Sequence, residues 1–408
     1  MTKIRVLEGR KILLGVTGSI AAYKAVELAS QLTQAGAYVD VILTEAAQAF
    51  VRPLTFQSVT GRRTYIDADL WGDEAHVLHV GLAHDAVLYL IAPVTANSMA
   101  KLAHGQADNL LTLTALGARC PLALAPAMDV GMFEHPATQS NLKTLMSRGA
   151  IVIGPVEGRM ASGKVGLGRF VEPDVLLGWI RKILGENGSL KGKSVVVTAG
   201  GTQEPLDPVR VLANRSSGKQ GFALAQVAID RGASVTLIAG PNSMRTPEGV
   251  NRVDVTTAAE MLEHSLIASE KADALLMAAA VADYRPQNTE NEKIKRQKGV
   301  PEVKLEPTSD ILAEIMKRKK KSGYPKRVIG FAAESQNLLE NAREKLEQKG
   351  VDMIVANDIT AADAGFSVDT NRVTLLSNSG EETELELMSK VEIAEQILDR
   401  LEALLNMA

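Results

Sequence analysis

The sequence predicts an α/β protein built as two tandem three-layer Rossmann-like domains. Apolar runs bounded by glycine alternate with helix-patterned stretches, as in βαβ units whose parallel sheet is covered on both faces. The series occurs twice, first as KILLGV, YVDVIL, AVLYLIAP, PLALAPA and AIVIGP, then as SVVVTAGG, SVTLIAG, ADALLMAAAVADY, RVIGFAAE and DMIVAND. Between them, ILGENGSLKGKS (183–194) is small, polar and glycine-rich and reads as a linker. A chain of 408 residues exceeds one ordinary core, so the division is placed at 1–186 and 187–408.

Composition narrows the class. With 46% hydrophobic and 23% charged residues the chain has the profile of a soluble enzyme rather than a disordered or fibrous protein. A net charge of −3 gives no reason to expect nucleic acid as a partner. The single Cys120 cannot form an internal disulfide, no signal-peptide pattern opens the chain, and no apolar run reaches the ~18 residues of a membrane span. The expectation is a cytoplasmic protein. The basic run MKRKKKSGYPKR (316–327) ends a helix-like segment, where lysine and arginine favour the helix C-terminus and solvent.

In the first half, ILLGVTGSIAAYKAVELASQL (12–32) passes from strand through a turn at Gly18, Ser19 and Ile20 into a helix, so a helix N-terminus can meet an anion. The G-x-G-x-x-G spacing is absent, and Thr44 rather than an acidic residue closes the second strand, which favours a mononucleotide phosphate over a dinucleotide. APVTANSMAKLAHG (92–105) sets Thr95, Asn97 and Ser98 where a helix begins; capping accounts for one of them, and the amide and hydroxyl groups together suit a polar ligand chain. APAMDVGMFEHPATQ (125–139) then brings Met128, Asp129 and Met132.

In the second half, VTAGGTQEPLDPVRVLANRSSGKQG (197–221) leaves a strand into Gly-Gly-Thr and starts a helix near SSGKQG, where hydroxyls and Lys219 can cradle phosphate. Capping explains Ser216 or Ser217 but not Arg210, Asn214 and Lys219 together. MAAAVADYRP (277–286) supplies small residues, among them Ala279, and Asp283. EKIKRQK carries Lys293 and Lys295, PTSDIL carries Ser309, Asp310 and Ile311, GFAAES carries Phe331, and Lys345 and Lys349 are i, i+4 neighbours on one helix face. The closing KVEIAEQILDRLEALL is an amphipathic helix.

The GSIAAYK turn, PVTAN (93–97), and PAMD (126–129) followed by Met132 and Phe133 resemble the flavin-dependent cysteine decarboxylase family over about the first 175 residues. The resemblance implies a flavodoxin-like half binding FMN through Gly18, Ser19, Ile20, Thr44, Thr95, Asn97 and Met128. It also implies a histidine base, matched by offset from Pro93 to His79 rather than His76 or His84. Two positions depart from the pattern. Asp129 stands where the family has Asn, and Ser162 stands where its glycine-rich substrate clamp, here RMASGKVGLGRF (159–170), has the cysteine that donates the last proton. An ionised Asp129 would repel a substrate carboxylate, whereas a neutral one could donate a hydrogen bond to it.

GGTQEPLDPVR, NRSSGKQG, AAVADY and GFAAE resemble the phosphopantothenate–cysteine ligases over about residues 191–400. The two halves together resemble the bifunctional bacterial flavoproteins of coenzyme A biosynthesis. The resemblance implies a parallel-sheet ligase half that uses CTP and Mg²⁺ to activate 4′-phosphopantothenate as an acyl-cytidylate for attack by L-cysteine. It implies nucleotide contacts at Ala279, Asp283, Lys293, Ser309, Asp310, Ile311, Phe331, Lys345 and Lys349, and handling of the acyl intermediate by Asn214 and Arg210. The flavin half then decarboxylates the product to 4′-phosphopantetheine, with a homo-oligomer as the expected assembly; the metal ligands stay unassigned. Alternatives left open are a flavin half that binds without catalysis or stops at the enethiol, and a nicotinamide-dependent dehydrogenase.

Overall fold

Six strands of the first unit, Met1–Leu184, form one parallel sheet: β1 Lys11–Val16, β2 Tyr38–Leu43, β3 Thr64–Ile66, β4 Leu88–Val94, β5 Leu122–Pro126 and β6 Ile151–Val152. The computed structural model describes residues 3–71, 77–295, 302–334, 337–358 and 368–407. Helices α1 Ala22–Gln34, α2 Glu45–Gln48, α3 Pro53–Thr60, α4 Leu78–Asp85, α5 Ala96–His104, α6 Leu110–Gly117, α7 Val130–Glu134, α8 Pro136–Ser147 and α9 Pro173–Gly185 accompany it. An antiparallel hairpin, β7 Val156–Arg159 and β8 Val165–Arg169, stands apart from the sheet. Side-chain alternation builds the three layers: Ile12, Leu14, Leu88 and Leu90 enter one buried cluster, and Leu13, Tyr89 and Ile91 enter the other.

The sheet order is β3-β2-β1-β4-β5-β6. This corrects the flavodoxin-like expectation in one respect, since that class has the order 2-1-3-4-5. Here β3 pairs outside β2 and the chain then returns to lay β4 against β1, so the crevice opens between β1 and β4.

The second unit, Gly185–Ala408, repeats the order over its parallel part. Its elements are β9 Ser194–Ala199, β10 Gln203–Pro205, β11 Val211–Ala213, α10 Lys219–Asp230, β12 Ser234–Ala239, β13 Asn251–Asp254, α11 Ala258–Ala268, β14 Ala274–Met277, β15 Tyr284–Pro286, β16 Leu305–Pro307, α12 Ile311–Ser322, β17 Arg327–Glu334, α13 Leu338–Lys349, β18 Met353–Asp358, β19 Thr370–Ser377, β20 Glu382–Ser389 and α14 Lys390–Asn406. The main sheet runs β13-β12-β9-β14-β17-β18-β19-β20. It is not wholly parallel: β19 and β20 form a hairpin added antiparallel to β18. Val195, Val197, Ala274 and Leu276 face one cluster, and Val196, Leu275 and Met277 face the other.

The glycine-rich stretch after residue 182 is not a free linker. Helix α9 continues to Gly185, Leu190 is buried, and its amide donates to the Arg231 carbonyl at 2.8 Å, so the segment is packed into the second unit. The basic run behaves as expected of a helix end: Lys319 pairs with Asp352, Arg318 with Glu270 and Lys326 with Asp273. Ser389 and Glu392 form a capping box that starts α14.

Candidate functional sites

Four strand ends converge in the first unit. Gly18, Ser19 and Ile20 follow β1, Thr44 follows β2, Thr95 and Asn97 follow β4, and Met128 and Asp129 follow β5, all at the C-terminal edge of one parallel sheet. Where the order reverses between β1 and β4, the diverging connections leave a crevice that α/β sheets use for ligands. Thr17 ties its two sides together: the hydroxyl donates to the Pro93 carbonyl at 2.8 Å and accepts from the Thr95 amide at 3.0 Å.

Several of the expected ligand contacts also have structural work. Thr95 caps α5 through the Ser98 amide and Thr44 caps α2 through the Ala47 amide, each at 3.3 Å. A Cβ on Gly18 would lie 2.5 Å from the Ala46 Cβ, so that glycine lets the start of α2 close against the β1 turn. Asn97 and Ile20 are exposed, and at the start of α1 the Ser19 hydroxyl accepts from the Ala21 amide at 3.2 Å.

His79 lies in the first turn of α4 and is half-buried; His76 lies outside the described residues. Asp85 at the far end of α4 pairs with Lys11 at the start of β1, at 2.6 Å, which sets that end at the N-terminal edge of the sheet. Six residues of helix, ~9 Å, carry His79 back toward the C-terminal edge, where the other residues gather. Cys120 lies before β5, at the opposite edge from Asp129, and burial pushes its thiol pKa up.

Asp129 organises a cluster of its own. It caps α7 through the Gly131 amide at 3.1 Å, accepts from the Ser162 hydroxyl at 2.7 Å and pairs with Lys164 at 3.2 Å. The Ser162 hydrogen bond, then the Gly131 amide and Lys164, hold its carboxyl below the ordinary range. The ionised form is therefore the one presented, and the neutral hydrogen-bond donor is not. The Met128 amide donates to the Gly168 carbonyl at 3.1 Å, so the β7–β8 hairpin is fastened to this strand end by both backbone and side chains.

In the second unit a cavity of about 660 Å³ opens at the C-terminal ends of β14 and β17 and the start of α10. Asn214, Ala279, Asp283 and Phe331 line it, as do Ser309, Asp310, Ile311, Lys345 and Lys349. Buried threonines shape its floor: Thr198 accepts from the Ala279 amide at 3.1 Å and Thr202 from the Ala282 amide at 2.9 Å. Asn214 donates to the Val281 carbonyl at 2.8 Å, and Thr308 donates to the Ala282 carbonyl at 2.6 Å. A Cβ on Gly221 would sit 2.5 Å from the Ala199 Cβ, so the last glycine of NRSSGKQG lets α10 rest on β9.

The lysines of α13 are engaged: Lys345 donates to the Phe331 carbonyl at 3.1 Å, and Lys349 pairs with Asp310, the cap of α12. Burial works to raise the Asp310 carboxyl, but Lys349, the Ala313 amide and the Lys345 charge outweigh it and hold it low.

Lys293 and Arg210 are not part of the cavity wall. They belong to a loop assembly centred on Asp207, which sequence reasoning passed over. Buried Asp207 accepts from the amides of Val209, Arg210 and Ile294 and from the Arg210 guanidinium, and Arg210 also donates to the Ile294 carbonyl. Burial opposes its ionisation, yet these donors bring its pKa down to about 2. Lys293, exposed, is thereby held on a segment tied to the β10–β11 region, with Glu290 donating to the Leu206 carbonyl at 3.1 Å.

Comparison with known proteins decides the family. The flavoprotein model matches residues 2–185, and the DNA/pantothenate metabolism flavoprotein C-terminal domain model matches 190–405. The coenzyme A biosynthesis bifunctional protein CoaBC of Bacillus subtilis is 44% identical over 401 residues, covering 98% of each chain. The chain belongs to the CoaBC family. The Vibrio cholerae relative is 42% identical over 96% of this chain and 98% of its own length, and the Mycobacterium bovis relative is 42% identical over 96% of both.

Within this CoaBC chain, the residues missed from sequence share one property. Asp207, Asn371 and Lys390 are buried polar groups, and Asn371 and Lys390 line the cavity. In sequence, Lys390 is merely the first residue of an amphipathic helix, and the GGTQEPLDPVR loop must fold back on residues 289–295 for Asp207 to gain the Ile294 amide beside its local donors.

Proposed function

We propose that the chain carries out two consecutive steps of coenzyme A biosynthesis: CTP-dependent joining of 4′-phosphopantothenate to L-cysteine, then decarboxylation of the product to 4′-phosphopantetheine. The observation that carries the reading is the pairing, in one chain, of a strand-end crevice in a flavoprotein unit with a cation-lined cavity in a ligase unit.

In the ligase unit the reacting carboxylate oxygen attacks the α-phosphorus of CTP, pyrophosphate leaves, and cysteine's amine then displaces CMP from the acyl-cytidylate. Negative charge gathers on phosphate oxygens, so fixed cations and a metal favour the transition state. Phe331 and the small residues at Ala279 would admit the nucleotide against backbone, while Lys293 approaches from the loop anchored by Asp207. Arg210 and Asn214 are assigned to the acyl intermediate. Among the described residues no three His, Cys, Asp or Glu cluster as a metal cage, and Mg²⁺ arriving on triphosphate needs only one or two carboxylates; Asp283 and Asp310 are at hand in the cavity.

In the first unit, the crevice between β1 and β4 and the α1 N-terminus beside it suit a phosphorylated flavin. The Ser19, Thr95 and Asn97 side chains would hold it. Bound FMN supplies a reversible two-electron acceptor, so the decarboxylation is redox-neutral overall. His79 takes the proton near the thiol, and Lys164, rather than ionised Asp129, is the group able to meet the substrate carboxylate. Ser162 stands where the final proton must be delivered, and its hydrogen bond to Asp129 favours a second reading in which the reductive half is slow and the enethiol accumulates. Exposed Ile20, Tyr23, Leu54 and Leu116 on the first unit support homo-oligomeric assembly. No helix among the described residues is long and apolar enough to cross a membrane, and a cytoplasmic location agrees with the substrates.

The test is a coupled assay from 4′-phosphopantothenate, cysteine and CTP, with CMP, pyrophosphate, CO₂ and thiol products followed separately. Absence of CTP-dependent pyrophosphate release removes the ligase assignment, and absence of CO₂ from the purified cysteinyl substrate removes the decarboxylase.

A further inference from the structure

The cavity of the second unit has two chemically different ends. Where α12 and α13 meet, Lys349 pairs with Asp310 and Lys345 donates to the Phe331 carbonyl. Where α10 begins, two further lysines line the wall, Lys219 and Lys390. Lys390 is only 6% exposed. Its backbone is fixed: Gln220 donates to the Lys390 carbonyl at 3.2 Å and the Lys390 amide donates to the Asp369 carbonyl at 3.0 Å, which clamps the first turn of α14 against that of α10.

Lys390 and Lys219 bring two positive charges to the same end of the cavity. Burial first, and then the Lys219 charge, push the Lys390 pKa down, while Asp369 works the other way. Asp369 is itself paired with Lys219 at 2.5 Å, and its side chain is 86% exposed, so solvent screens much of its effect on Lys390. The same end carries the glycine and serine backbone of Ser216–Gly218 and the start of a twelve-residue helix, both suited to phosphate oxygens.

Resting on the nucleotide-dependent ligation proposed above, we propose that Lys390 and Lys219 hold the β- and γ-phosphates that leave as pyrophosphate, while the α12–α13 end of the cavity receives the nucleoside. When the substrate carboxylate oxygen bonds to the α-phosphorus, the bond from that phosphorus to the bridging oxygen breaks, and its electron pair departs on pyrophosphate. The two ammonium groups meet that charge as it forms; nothing is oxidised or reduced. Lys390 thus acts on the leaving group.

The experiment is calorimetric titration of the full chain with CTP, CMP and inorganic pyrophosphate in the presence of Mg²⁺, for wild type, Lys390→Met and Lys390→Arg. Loss of one buried charge contact is expected to weaken CTP and pyrophosphate by about tenfold to a hundredfold in Lys390→Met. CMP binding, which lacks both phosphates, stays within about twofold, and Lys390→Arg recovers most of the loss. Unchanged pyrophosphate binding, or an equal loss for CMP, overturns the assignment. Wild-type binding of pyrophosphate without CTP leaves the subsite standing and removes the nucleotide reading; wild-type turnover of CTP with pyrophosphate affinity indifferent to Lys390 does the reverse. Lys219→Met, compared in the same titrations and in thermal melts, keeps the test decisive if Lys390→Met unfolds.

Discussion

The Ser162 hydroxyl donates to the Asp129 carboxylate at 2.7 Å, joining the turn of the β7–β8 hairpin to the cap of α7. These are the two positions at which the first unit departs from the decarboxylase pattern, and they are partners. With Lys164 they form a local charge system in which Asp129 stays ionised at neutral pH.

Replacing Asp129 by Asn removes a negative charge facing the substrate carboxylate while keeping an acceptor for Ser162 and the Gly131 amide. The KM for the cysteinyl substrate should fall by a factor of about five, the size of one screened like-charge contact. Steady-state CO₂ release measures it, and an unchanged KM would locate the substrate carboxylate elsewhere.

Ser162→Cys supplies a far stronger acid at the same position. The neighbouring Asp129 charge keeps the new thiol protonated, with its pKa at or above the usual ~8.5. Mass spectrometry of the products should show less of the species two hydrogens short of 4′-phosphopantetheine than wild type accumulates. Equal amounts in both proteins would remove Ser162 from the last step.

His79→Asn should lower CO₂ release by roughly 10²- to 10⁴-fold, the usual loss for a positioned base. Pyrophosphate release from CTP should be unaffected, because His79 belongs to the other unit. A parallel fall in both activities would mean misfolding instead.

Asp207 makes a pH prediction. Its folded pKa of about 2 lies below the ordinary value of 3.8, so the contribution to stability is complete above pH ~4 and is lost as pH falls toward 2. Hydrogen exchange at Val209, Arg210 and Ile294 should thus be flat from pH 7 to 4 once corrected for intrinsic rates. Asp207→Ala should raise it about tenfold or more, the worth of one charged hydrogen bond, and lower ligase kcat through Lys293.

Arg231 is buried among carboxylates of α14, with Glu395, Asp399 at 2.9 Å and Glu402 at 2.7 Å. Arg231→Ala leaves these charges facing one another and should destabilise the second unit by ~3 kcal/mol. Calorimetry should show its melting transition lowered by about 6–12 °C, with the first unit's transition in place.

Much of the fold was legible because strands covered on both faces read as continuous apolar runs, and each of the ten runs identified from sequence contributes to a strand of the two main sheets. The β19–β20 hairpin was passed over although TNRVTLLS and ETELELMS flank the turn-rich SNSG. Polar residues open β19 and alternate with apolar ones along β20, a weaker signal than the buried runs beside them. Asp283, Asp310, Phe331 and Lys345, named from the family resemblance, line the cavity. Lys349 was legible as a position, but not as a lysine already neutralised by Asp310.

By itself the sequence determined the alternation of strands and helices, the tandem halves, the caps at Thr44, Thr95 and Ser389, and which residue types arrive at the strand ends. These are local matters, set by periodicity and by hydrogen bonds spanning a few residues. Tertiary structure alone decided the charge of Asp129, through Ser162 and Lys164 thirty-three and thirty-five residues away, and the burial of Lys390 beside a turn of α10, tied through a hydrogen bond spanning 170 residues. Ionisation and burial depend on what lies within a few ångströms in space, and no local pattern carries that distance.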